Sequence, residues 1–268
     1  MKIQPVKRIT AAGFTLIEMM VAIAITALLM LGLVEIFASN QAGYQLQQGM
    51  ARLQENARFA NFIMGRHLRN AGYFPIAETL NPNLDFGIAF NTAVLPPPIF
   101  TSQDGGGVAS DQLEITYFAN DDCFGQINPV LDGAGRPQMW RKEVSFSQAG
   151  NQLFMNCRYG NALTPPGGAP VQINNQPMMD GVEALQFQYG IDNDGDMVPN
   201  QYLDTPQFAP GVSTVSVRVG MIVSMPDEAA QTLDDQPINL LGVPYPAVND
   251  RRIRRPLVFT IHLRNMTP

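Results

Sequence analysis

Histidine and cysteine are scarce in this sequence. Only His67, His262, Cys123 and Cys157 occur among 268 residues. Neither histidine has a Ser or Cys nucleophile at recognisable spacing, and the chain contains no G-x-S-x-G, P-loop or H-E-x-x-H run. These absences argue against an enzyme. A single pair of cysteines without a histidine cluster argues against a zinc site. Charge is also thin. Asp, Glu, Lys and Arg make up 15% of the chain and the net charge is −6, so no nucleic-acid partner is expected. Repeats at solenoid spacing are absent.

The most telling absence is local. Between Met19 and Val34 no residue is charged, and residues 14–38 are apolar except for Thr15, Glu18, Thr26 and Glu35. Spanning a bilayer takes about 20 apolar residues, so the run is long enough. Lys2, Lys7 and Arg8 precede it, and positive flanks stay in the cytoplasm. The part after residue 40 is therefore expected outside the inner membrane. A secretory signal would explain the basic leader, with a cut near Ala38, but signal cores are shorter and lack an acid. A plain one-pass anchor would explain the length but gives Gly13 and Glu18 no role. An acid within a membrane helix is costly and points to function.

The residues Gly13-Phe14-Thr15-Leu16-Ile17-Glu18-Met19-Met20-Val21-Ala22 resemble the processing site of type IV prepilins and type II secretion pseudopilins. The resemblance implies cleavage after Gly13 by a membrane prepilin peptidase and methylation of Phe14 as the new N-terminus. It also implies that Glu18 meets the N-terminal ammonium of a neighbouring subunit and sets the register of assembly. The physics agrees. Cleavage removes the leader cations and leaves one ammonium, which is costly in a helix bundle unless paired. Glu18 lies four residues on, on the same side of the helix. The simpler alternative is that Glu18 only snorkels to the headgroups.

Beyond the membrane run, Leu46, Met50, Leu53, Ala57, Ala60, Met64 and Leu68 recur at helical spacing, giving a stripe that would pack on a sheet. Gly32, Gly43, Gly49 and Gly65 weaken such a helix by about 1 kcal/mol each and are read as bends or melting points. At 1.5 Å per residue, a helix from Phe14 to Arg69 would be about 85 Å long, so part of it needs cover from lipid or other subunits. Gly72 and Pro75 should end it. Residues 75–110 read as irregular, and Pro165-Pro166-Gly167-Gly168 as a loop. Strands are expected at 112–119, 142–147, 152–158, 184–191, 212–224 and 256–263, the second and third joined as a hairpin through Gly150-Asn151.

The expected class is α+β: a long N-terminal helix whose second half packs on an antiparallel sheet in a loop-rich β body. The segments Arg52–Phe59, Leu68–Phe74 and Leu263–Asn265 resemble the PilW family of minor pilins. The division that follows is a leader (1–13), a membrane and assembly half-helix (14–38), an amphipathic half-helix (39–72) and an extracytoplasmic body (73–268). The resemblance implies a role in initiating or priming a pilus, near the fibre tip. It implies other minor pilins, the major pilin and prepilin peptidase as partners, with inner-membrane lipid around the helix before assembly. A type II secretion minor pseudopilin and a pilus-borne adhesin are the alternatives.

In an exported body, an even cysteine count points to a Cys123–Cys157 disulfide, against two free thiols. The run Asp192-Asn193-Asp194-Gly195-Asp196, with Asn200 and Asp204 after it, has alternating carboxylates around a turn, as in calcium loops. It departs from the EF-hand pattern at Met197, where Gly is expected, and at Leu203, with Asp204 one place late. A solvated acidic turn is the alternative. Calcium is the only cofactor indicated, in a structural role. The basic run Arg251-Arg252-Ile253-Arg254-Arg255 reads as a solvated or partner-pairing edge, since no stacking aromatics interleave.

Overall fold

A computed structural model of the chain describes residues 15–73, 100–129, 131, 135–137, 139–160, 171–206, 208–209, 212–228 and 234–265. The leader with Gly13 and Phe14, most of the run expected to be irregular, and the Pro165–Gly168 loop lie outside them. The chain divides into two compact units, Met1–Gln48 and Gly49–Pro268.

Helix α1 spans Leu16–Asn70. In the first unit it is built from Leu, Met, Ala and Ile, most of which favour helix. Every described residue there is exposed, Leu16 by 79%. The helix is long and apolar enough to cross a membrane. An apolar helix without protein cover is what lipid or neighbouring subunits must shield. Its one mid-run hydroxyl is satisfied, since Thr26 Oγ1 donates to the Ala22 carbonyl at 2.7 Å.

In the second unit α1 buries one face. Leu53, Ala60, Met64 and Leu68 of the expected stripe are buried, and Met50 packs beside them. The helix runs unbroken through all four glycines. Gly49 is a packing position: a Cβ there would collide with the side chain of Met225. The helix stops at Asn70 because Gly72 adopts φ +73°, a left-handed conformation that glycine takes without strain. The Ala71 and Tyr73 amides donate back to Leu68 and Asn70 at 3.1 and 2.9 Å.

Among the described residues, the body holds two antiparallel five-stranded sheets. The first is a meander of β1 (Phe100–Gln103), β2 (Gln112–Ala119), β3 (Trp140–Ala149), β4 (Gln152–Gly160) and β5 (Val171–Asp180), in that order. The β3–β4 turn is Gly150-Asn151, with Ala149 opposite Gln152. The second sheet contains β6 (Val182–Asp192), β7 (Gln201–Leu203), β8 (Phe208–Ala209), β9 (Val212–Glu228) and β12 (Arg252–His262). Its order is β12-β9-β6-β7, with β8 also on β9. Strands β10 (Ile238–Leu240) and β11 (Val243–Tyr245) form a small hairpin. Six strands go beyond the sequence reading: β1, β5, β7, β8, β10 and β11. β1 lies in the stretch read as irregular. β5 was not expected, because Asn174-Asn175-Gln176-Pro177 has the composition of a loop; it is an edge strand with bulges, where Pro is tolerated.

Leu53, Met64 and Leu68 of α1 share one core with Leu113, Ile115, Val144 and Phe146 of the first sheet and with Leu185, Phe187, Val217 and Val219 of the second. The two sheets are also joined by the segment before β2. The Asp111 amide donates to the Leu185 carbonyl, and its carboxylate accepts the Phe187 amide, both at 2.8 Å. Ser110 Oγ accepts the Leu185 amide at 3.1 Å.

Candidate functional site

Three groups of side chains carry the chemistry that the sequence singles out. The first is the start of α1. Thr15 and Glu18 form a reciprocal cap. The Thr15 amide and hydroxyl donate to Glu18 Oε2 at 2.8 and 2.9 Å, and Thr15 Oγ1 accepts the Glu18 amide at 3.3 Å. This is the Ser/Thr-x-x-Glu pattern that satisfies otherwise orphaned amides at a helix start. Both bonds from Thr15 fall on the same carboxylate oxygen. The acid is thereby held at the first turn, where the helix dipole favours negative charge.

The second group is the turn after β6. Carboxylate oxygens of Asp192, Asp194 and Asp196 lie within 4.8 Å of one another. Asp192 is buried and organises the turn. Its Oδ1 accepts the Asp194 and Gly195 amides at 3.1 and 2.8 Å, and Oδ2 accepts the Met197 amide at 2.9 Å. Burial alone would raise the pKa of Asp192. The backbone donors Gly195, Met197 and Asp194 outweigh it and hold the acid below the ordinary carboxylate value. Met197, at the place where a calcium loop has glycine, adopts φ +66°. The backbone thus takes the left-handed turn although the residue disfavours it. Asn200 Oδ1 accepts the Asn193 amide at 2.9 Å, and its side-chain amide donates to Asp194 at 3.2 Å. Asp204 stands apart from the three acids and accepts from Gln188 at 3.4 Å. The structure therefore gathers three of the five residues singled out for calcium, with Asn200 as a brace.

The third group joins the helix to the first sheet. Cys123 and Cys157 are disulfide-bonded, with their Cα atoms 6.1 Å apart, tying the loop after β2 to β4. Beside them, Asp121 bridges Lys142 Nζ at 2.6 Å and Arg66 at 2.9 Å. His67 Nδ1 lies 2.7 Å from the Tyr117 hydroxyl. Burial first, and then the charges of Lys142 and Arg66, press the His67 pKa down to about 4, so it is neutral at physiological pH. Lys142 is only 2% exposed, and burial lowers its pKa while Asp121 opposes the change. Sequence reasoning missed this network. Its members are far apart in the chain, and only the polar His67 beside Leu68 on the helix stripe hinted at it.

The arginine run opens β12 and is only partly a solvated edge. Arg254 points inward and pairs with Glu183, Asp250 and Asp234 at 2.6, 2.6 and 3.3 Å. Its hydrogen bonds hold the Asp250 carboxyl down at about 2. Arg251 and Arg255 are exposed.

Residues 132–265, half of the chain, match the model of a family described as type IV pilus-assembly protein W. Residues 9–34 match the prokaryotic N-terminal methylation motif. Among solved structures the chain is similar to a type IV-like pilin from Thermus thermophilus, with 14% identity and a TM-score of 0.46 over 81% of this chain and 98% of that one. Comparison with curated proteins gave no match.

Proposed function

We propose, from the premise that this chain belongs to the type IV pilus-assembly protein W family and is a minor pilin, that it primes pilus assembly. The chain is cut after Gly13 by prepilin peptidase, and Phe14 is methylated. It waits in the inner membrane with its N-terminus cytoplasmic and its body outside. It then enters the fibre near its tip together with other minor pilins and the major pilin. Glu18 pairs with the ammonium of a neighbouring Phe14 and fixes the axial register.

The observation that carries this reading is the capped, wholly exposed apolar helix within and beyond the methylation-motif match. Such a surface is stable only in lipid or in a helix bundle, and a subunit that leaves one for the other needs both. N-terminal mass spectrometry of the purified protein tests the first step. The chain is expected to begin at Phe14 and to carry one added methyl. A mature start near Ser39 would mean a secretory signal and would end the pilin reading.

A structural calcium ion at the acidic turn is a second element of the proposal. It is favoured by the convergence of Asp192, Asp194 and Asp196 and by the left-handed Met197. Three like charges at this spacing repel, and a hard cation with oxygen ligands would neutralise them. Calcium is expected to raise the Tm of the detergent-solubilised protein by several degrees, and Asp194→Ala to abolish the rise. A wild-type Tm indifferent to calcium and to chelator would leave these residues as a turn alone.

A further inference from the structure

The turn after β2 closes on itself. The Asn128 amide donates to the Asn120 carbonyl and the Asp122 amide to that of Gln126, both at 2.8 Å. Asp122 Oδ1 accepts the amides of Phe124 and Gln126, also at 2.8 Å. Residues 120–128 are thereby one piece, joined to other elements by side chains. Asp121 reaches Lys142 Nζ on β3 at 2.6 Å and Arg66 on α1 at 2.9 Å. Asp122 shares a hydrogen bond with Tyr159 of β4. Cys123 is bonded to Cys157, also of β4. Strand β3 lies between β2 and β4, where Val144 faces Cys157 and Lys142 faces Tyr159. The disulfide thus carries the turn across the strand that bears Lys142.

We propose that the Cys123–Cys157 bond is a redox-set clasp on the end of α1: its closure seats Asp121 between Lys142 and Arg66, and the last turns of the helix lock to the first sheet in the oxidised chain but stay loose in the reduced one. Without the bond, polar contacts alone must order the turn against its conformational entropy. Asp121 is then free to leave, and the Lys142 ammonium, 2% exposed, is stranded. A buried charge without its counter-ion favours any opening that lets water reach it. Here the part that opens is the end of α1 carrying Arg66 and His67, because both residues close over the same group, Arg66 through Asp121 and His67 through Tyr117. Closure removes two electrons and two protons from the thiols. Both pass to the disulfide of a thiol–disulfide oxidant, which leaves as a dithiol. Cytosolic thiols are kept reduced and exported ones are oxidised, so the clasp closes after export. That timing rests on the reading of the body as extracytoplasmic; the clasp itself does not.

Hydrogen exchange of the detergent-solubilised full chain, read by peptide mass, tests the clasp. Cys123→Ser opens the bond and leaves the buried Cys157 thiol in place. In this variant peptides from residues 62–70 are expected to exchange about tenfold faster or more, and those of β6 and β9 at the wild-type rate. A second arm reads the coupling. Lys142→Met takes away the charge that needs Asp121, so in that background Cys123→Ser should lower the Tm by less than about half as much as in wild type. Equal Tm losses in the two backgrounds, unchanged exchange at 62–70, or a rise spread evenly over both sheets would each overturn the clasp and leave a disulfide that stabilises the body as a whole. The start of the mature chain is untouched by any of these outcomes, so the minor-pilin reading is judged separately.

Discussion

Glu18→Ala is expected to leave the chain in the membrane and to all but remove it from the fibre. Membrane residence depends on the apolar run around Glu18, which the substitution lengthens. On the proposed reading, assembly pairs Glu18 with the ammonium at Phe14. Buried among apolar helices without a counter-charge, that group costs several kcal/mol, and breaking a buried pair typically costs about 3–5 kcal/mol. Incorporation into sheared fibres should therefore fall by two orders of magnitude or more. The alanine also deletes the cap on Thr15, so the two roles need separating. Thr15→Val removes the hydroxyl bonds but keeps the acid, and losing a cap is worth only about 0.5–2 kcal/mol. Its effect on incorporation should be much smaller. Equal incorporation of wild type and Glu18→Ala would show that the acid does not set register.

The largest effect on stability is expected from Asp121→Ala. Asp121 holds the buried Lys142 ammonium and the half-exposed Arg66 together. Without it, a charge 2% exposed loses its counter-ion, and the expected loss is about 3–5 kcal/mol. Lys142→Met in the same background should restore much of that, because a long apolar side chain of similar volume needs no partner. The pH dependence distinguishes a stranded charge from a packing defect. In Asp121→Ala the Lys142 pKa, already lowered by burial, falls further below its unfolded value. Stability from the neutral amine is then fully present above the unfolded pKa and is lost as pH falls through the window down to the folded one. The deficit of the variant should shrink as pH is raised toward 10 and should be full at pH 7. Urea titrations of the detergent-solubilised protein at both pH values measure it, and a deficit independent of pH would point to packing instead.

The parts of this protein that could be read from sequence share a local physical signature. The membrane run is a matter of composition, the stripe through Leu53, Met64 and Leu68 one of period, and the β3–β4 hairpin one of turn chemistry. The edge strand β5 was hidden because edge strands are relieved of the apolar alternation that marks half-buried ones. The network of Arg66, His67, Tyr117, Asp121 and Lys142 was hidden for a different reason. Its spacing exists only after β2 and β3 have paired, so no window of sequence contains it. Gly49 was misread because a helix-weakening residue and a close-packing residue are the same letter, and Met225 decides between them from 176 positions away. The family resemblance was carried by segments in the helix and at the C-terminus. The family model matches 132–265, where β3 to β12 and the acidic turn lie, so the two readings rest on largely separate residues.

The part of α1 from Gly49 onward is held to the body by a shared core and, at its far end, by the Arg66–Asp121 and His67–Tyr117 links. A force drawn along that helix would load these attachments in shear and all at once, since none can yield before its neighbours slide. Bonds loaded in parallel fail together and at high force. Under tension along that helix, the attachment would thus either hold or strip, with little give between.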